Sequence, residues 1–172
     1  MHFTSRQLSQ IHDCLTEAES RLINFYRFAP REWFNYSYDL LTVRDLPQAH
    51  PLPGDEVLAE VVRGPSPPKA QHIFPCGAPA LYRILLFDRH ILHSMRHLPA
   101  VPFQRFILYI LTHELIHIVR FTHSIDFHLP AAEKSREENK VHDLTCQVLE
   151  PLGDPTVQRI ARLYSSAGEY SL

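Results

Sequence analysis

Two histidines and a glutamate, His113, Glu114 and His117, stand in the stretch "YILTHELIHIVRF", the most apolar part of this chain. His113 and His117 are four residues apart, so on a helix both imidazoles project from one face and can grip a single metal ion. Glu114 is one position on, beside the pair, placed to contact a metal-bound water instead of the metal. The surrounding residues, Ile107, Leu108, Ile110, Leu111, Leu115, Ile116, Ile118 and Val119, make the helix apolar on every face and predict its burial. Desolvating three ionisable groups costs several kcal/mol unless something binds them, and a metal ion would do so. Zinc in such a setting lowers the pKa of its water and polarises a carbonyl, while a neighbouring carboxylate takes and returns the proton.

Two histidines do not complete a catalytic zinc site; a third protein ligand is expected, with the last position open. His123 has the spacing of a third histidine in "HELIHIVRFTH", but Arg120 occupies the place of the glycine that would turn the chain there. Further on, "SREENKVHDLT" reads as a helix with an apolar stripe Val141, Leu144, Thr145, Val148, Leu152. By the 100° helical step Glu137 and Glu138 both flank that stripe. The third ligand is therefore open among Glu138, Glu137, His142 and His123.

The His-Glu-x-x-His pattern, followed by a helix that carries carboxylates, resembles the gluzincin metallopeptidases. In those enzymes the third ligand is a glutamate on a "glutamate helix". Glu137 and Glu138 lie 20 and 21 residues after His117, within the range the resemblance implies. It selects Glu138, because the residue four positions on in the family buttresses a zinc-binding histidine; here that place is His142, with Asp143 beside it. The resemblance spans roughly Leu81 to Leu152 and is to the compact, minigluzincin-like members. It implies one zinc ion per chain on His113, His117 and Glu138, with Glu114 as general base and acid. His142 is then a second-layer partner, a catalytic electrophile or a ligand. It further implies a strand on the cleft rim whose edge pairs with an extended peptide or protein substrate, for which "ALYRILLFD" is the candidate. Two other readings stand beside it. Both histidines, Glu138 and His142 together would close the site around a non-catalytic zinc. Alternatively the segment "GPSPPKAQHIFPC" lies across the cleft and Cys76 supplies a thiolate, which makes the peptidase latent.

The elements that must position these residues follow from the rest of the chain. Its 172 residues suit one domain with a real core, expected over 1–172, with a helix and a Pro-rich segment in 1–80 and the metal-binding core in 81–152. Thr4 to Phe28 reads as an amphipathic helix opened by a Thr4/Gln7 capping box. A short helix is expected near Arg31 to Asp39. Residues 47–79 hold eight of the 14 prolines, which predicts extended chain and turns. Glu56 to Gly64 and Ala80 to Asp88 read as strands. From Asp88, taken as a cap, the chain reads as helical: one helix to about Leu98, one opened by Pro102, one from Pro130 toward Gly153, and a last one from Asp154-Pro155 to about Ser165. The expected class is α+β, a small sheet with a helical half.

Composition excludes other classes. A net charge of -2 with no basic cluster argues against nucleic acid. The longest apolar run is broken by Thr112, His113, Glu114 and His117, which argues against a membrane span. Three scattered cysteines, Cys14, Cys76 and Cys146, and no signal-like N-terminus point to a reducing, cytoplasmic setting. No nucleotide-binding glycine pattern or nucleophile elbow occurs, and the second half of a di-iron signature is missing because Glu138 and His142 are four apart. His90, His93 and His97 share a helix face that offers metal donors, but Arg89 and Arg96 oppose a cation; a solvated or cleft-facing surface is the reading adopted.

Overall fold

A computed structural model describes residues 1–46, 53–64, 82–123 and 130–165. The architecture is α+β, with six α-helices and a three-stranded mixed sheet among the described residues. Helix α1 (Ser5–Tyr26) opens as its sequence predicts: the Thr4 hydroxyl accepts from the Gln7 N–H and the Gln7 side chain accepts from the Thr4 N–H. Its stripe Ile11, Cys14, Leu15, Ala18 and Leu22 is buried. That stripe packs along α4 (Phe103–His123), the central helix of the fold.

Between α1 and the sheet the chain departs from expectation. Only a four-residue helix α2 (Pro30–Trp33) forms, and Tyr38–Thr42 is strand β1 rather than the end of a longer helix. The reason is burial on both faces. Leu40 joins the main core, whereas Leu41 packs with Leu85 and Phe87 in a second cluster on the other side of the sheet. A strand covered on both faces loses the polar–apolar alternation that marks strands in sequence.

Strands β2 (Ala59–Arg63) and β3 (Tyr82–Leu86) fall inside the two expected segments. The sheet order is β1-β3-β2, with β1 parallel and β2 antiparallel to β3. "ALYRILLFD" therefore supplies the central strand, hydrogen-bonded on both sides, and cannot be the free rim strand. β2 holds the edge on the side of α4.

Helix α3 (Asp88–His97) begins one residue earlier than a cap at Asp88 would allow. The buried Asp88 carboxylate instead accepts N–H bonds from Phe3 at 3.1 Å and Val43 at 3.3 Å, joining the N-terminus and the end of β1 to the start of α3. Pro102 stands just before α4, its carbonyl accepting from the N–H groups of Arg105 and Phe106. Helix α5 (Ala131–Leu149) follows Pro130 and passes into a 3₁₀ turn over Glu150–Leu152, and Gly153 at φ 58 ends it in the left-handed conformation that glycine tolerates. Asp154 accepts from the Thr156 N–H at 2.8 Å to open α6 (Pro155–Ser165), and it also pairs with Arg105 of α4 at 2.7 Å. No described helix is long and apolar enough to cross a membrane.

Candidate metal centre

Helix α4 is buried continuously from Phe106 to Val119, including Thr112, His113, Glu114 and His117. Thr112 is satisfied locally, its hydroxyl donating to the Leu108 carbonyl. His113 and His117 face α5. Contacts of Tyr109 with His142, His113 with Glu138 and Arg120 with Glu137 show that α5 runs antiparallel along α4.

His113 Nε2 and His117 Nε2 lie 3.2 Å apart, and each is 3.3 Å from Glu138 Oε2. Three donor atoms thus form a nearly equilateral triangle. Hydrogen bonds alone satisfy such a triangle poorly. If both histidines donate to Glu138, their two N–H groups crowd each other; if only one does, a lone pair faces a lone pair. A cation facing all three atoms resolves the conflict. Ligands about 2.0–2.1 Å from a tetrahedral zinc are spaced about 3.3–3.4 Å from one another, so the donor set and its spacing fit that ion. His113, His117 and Glu138 are the group of potential metal donors that converges among the described residues.

The electrostatics are consistent with such a site. Burial pushes the His113 pKa down to about 4, keeping its lone pair available. Burial opposes charge on His117 too, but hydrogen bonding to Glu138 and the nearby carboxylates Glu138, Glu114 and Glu137 bring its pKa above the ordinary value. Burial also resists ionisation of Glu138, yet its bonds to both histidines hold it well below the usual carboxylate range. Glu114 is not part of the triangle. Its Oε1 is buried with no protein hydrogen-bond partner, and burial raises its pKa to about 8, with Glu138 and Glu60 of β2 adding to the rise and His117 opposing it. His113 Nδ1 and His117 Nδ1 likewise lack protein partners.

The other expected residues are placed differently. Glu137 is buried and turned to Arg120, which grips it through two nitrogens, the Arg120 Nη2 to Glu137 Oε2 contact being 2.8 Å. His142 is half-buried, off the triangle: its Nδ1 is 2.7 Å from the Tyr109 hydroxyl and its Nε2 3.7 Å from Cys146 Sγ. Burial lowers the His142 pKa and strongly raises that of Tyr109, so a neutral imidazole meets a protonated phenol. The phenol is then the natural donor to Nδ1, which leaves the His142 proton on Nε2. His123 is the last residue of α4, and its side chain lies outside the described residues, as do Cys76 and everything after Gly64 in the "GPSPPKAQHIFPC" segment.

Sequence reasoning overlooked Tyr109 and gave Arg120 no role beyond replacing a glycine. Spacing carried both signals. Tyr109, His113 and His117 recur every four residues, and Arg120 follows at three, all on the α4 face that meets α5. Comparison with protein-family models, curated proteins and solved structures gave no match.

Proposed function

We propose that this chain is a zinc-dependent metallopeptidase of gluzincin type that hydrolyses peptide bonds. The observation that carries the reading is the triangle of His113, His117 and Glu138 donor atoms with a buried carboxylate, Glu114, whose Oε1 has no protein hydrogen-bond partner. His113, His117 and Glu138 would hold the ion. When bound, zinc supplies a Lewis acid that polarises a peptide carbonyl and acidifies a water. Glu114 would accept the attacking water's proton at a carboxylate oxygen and return it to the departing amine. Its burial beside the donor set, with Oε1 free of any protein hydrogen-bond partner, suits it to both halves of that exchange. His142, held between the Tyr109 hydroxyl on Nδ1 and Cys146 Sγ on Nε2, serves as a supporting partner beside the donor set.

An extended substrate would pair with β2, which flanks α4 and has no strand on its other side among the described residues. Glu60 of that strand brings negative charge close to Glu114. A closed, non-catalytic zinc set would require His142 to leave Tyr109 and Cys146. The free thiols of Cys14 and Cys146 are what favours a reducing, cytoplasmic setting.

The test is Glu114→Gln, assayed on a quenched-fluorescence peptide library beside the wild type. Loss of turnover by about 10²–10⁴-fold, the usual range for a general base, with zinc content unchanged, is the expected result. Equal hydrolysis by both proteins, or none by the wild type across the library, would remove the peptidase reading.

A further inference from the structure

Strand β2 is an edge of the sheet beside the candidate metal centre, and its pairing with β3 fixes which way its main-chain groups point. The Phe87 N–H donates to the Leu58 carbonyl at 3.0 Å. Hydrogen-bonded pairs alternate along an antiparallel ladder, so Glu60, opposite Leu85, and Val62, opposite Arg83, turn their N–H and C=O groups to β3. Those of Ala59, Val61 and Arg63 point the other way, where no strand lies among the described residues. The side chains divide by face. Ala59 and Val61 pack on the main core, whereas Val62 packs on the second apolar cluster with Leu41, Leu85 and Phe87. Glu60 shares the face of Val62. Its side chain is half-buried and has no ion-pair partner among the described residues. It also lies near enough to Glu114 to disfavour charge there, so the edge beside the donor set carries uncompensated negative charge.

We infer that Glu60 is a specificity-determining residue: the β2 edge takes an extended peptide with a lysine or arginine opposite Glu60 and an apolar residue opposite Val62. The role as substrate selection rests on the peptidase reading. The added strand runs antiparallel to β2, the more stable pairing per residue. Its main chain bonds to Val61, which makes the position opposite Glu60 a non-hydrogen-bonded one, where facing Cα atoms are only about 4.5 Å apart and side chains lie closest. Opposite charges on such a pair attract and like charges repel. A cation there supplies the partner that Glu60 lacks, whereas a carboxylate meets repulsion from both Glu60 and Glu114. Because the added strand runs against β2, the apolar residue over Val62 precedes the basic one by two positions in the peptide.

The test is binding, measured by fluorescence anisotropy on the full-length Glu114→Gln chain so that turnover does not consume the probe. The probes are fluorescein-labelled, capped alanine heptapeptides with leucine third and either lysine or glutamate fifth. The lysine peptide should bind about fivefold more tightly or better, the range of one cross-strand charge pair. Adding Glu60→Gln should level the two affinities, and adding Glu60→Lys should reverse their order. Glu60 is half-buried and unpaired, so neither change removes a contact of the fold. N-methylation of the peptide's fourth residue, which faces Val61, should weaken binding at least severalfold. A lysine preference that survives Glu60→Gln, equal binding of both peptides, or no binding of either overturns the inference. The same peptides are then given to the wild type. Hydrolysis without a lysine preference overturns this inference and leaves the peptidase reading standing. Glu60-dependent binding without hydrolysis keeps the edge site and removes the peptidase reading.

Discussion

At the scale of single residues, the histidine pair was readable because two ligands at i and i+4 need only one helix to be brought together. The third ligand was harder to read. Glu137 and Glu138 are neighbours, about 100° apart on α5, and both border its apolar stripe, so helical geometry alone does not choose between them. What separates them is Arg120 on the facing helix, which takes Glu137 and leaves Glu138 to the histidines. Tyr109 makes a similar choice for His142. Its hydroxyl fixes which ring nitrogen carries the proton, something spacing cannot report. Tyr109→Phe should leave zinc content unchanged and cost about 1 kcal/mol of stability. It should also lower kcat severalfold with little change in KM, as measured by steady-state kinetics beside a thermal melt. Lost zinc in that variant would mean that Tyr109 supports the ligands instead of His142.

At the scale of elements, the central fact is the antiparallel register of α5 on α4. Arg120, three residues after His117, and Glu137, one before Glu138, hold it close to the metal donors on both helices. Removing one partner strands a buried charge, so Arg120→Ala should destabilise by about 3 kcal/mol, the lower end for breaking a buried pair. Arg120→Ala/Glu137→Ala should recover part of that loss while zinc affinity stays reduced, because nothing then sets the reach of Glu138. Chemical denaturation and zinc titration of the single and double variants check this; full zinc affinity in the double variant would show that packing alone sets the register. Helix ends and caps were legible because they are local: Thr4 with Gln7, Pro130, Gly153 and Asp154 all act near the expected places. The sheet was only partly legible. Strand β1 lacks alternation because Leu40 and Leu41 enter different apolar clusters, and the central position of β3 depends on partners far away in sequence.

At the scale of the whole molecule, α4 passes through the core with α1 on one side and α5 and α6 on another, and β2 also packs against it. Ionisable groups in so buried a helix link folding to ligand binding. An ion that binds only the folded chain stabilises it by about 4 kcal/mol when its free concentration is a thousandfold above Kd. For a domain of this size that corresponds to a rise of roughly 10 °C in Tm. Chelation should therefore lower Tm by about that amount, and zinc should restore it. The effect should be absent in His117→Ala. A chelator-insensitive melt in the wild type would mean that the core tolerates these groups without an ion.

The most direct measurement is zinc per chain by elemental analysis, after purification without added metal, for the wild type, His117→Ala, Glu138→Ala and His142→Ala. The account predicts close to one zinc in the wild type and in His142→Ala, and almost none in the other two. A wild type that carries no zinc and takes none up, or a Glu138→Ala protein as rich in zinc as the wild type, would contradict it.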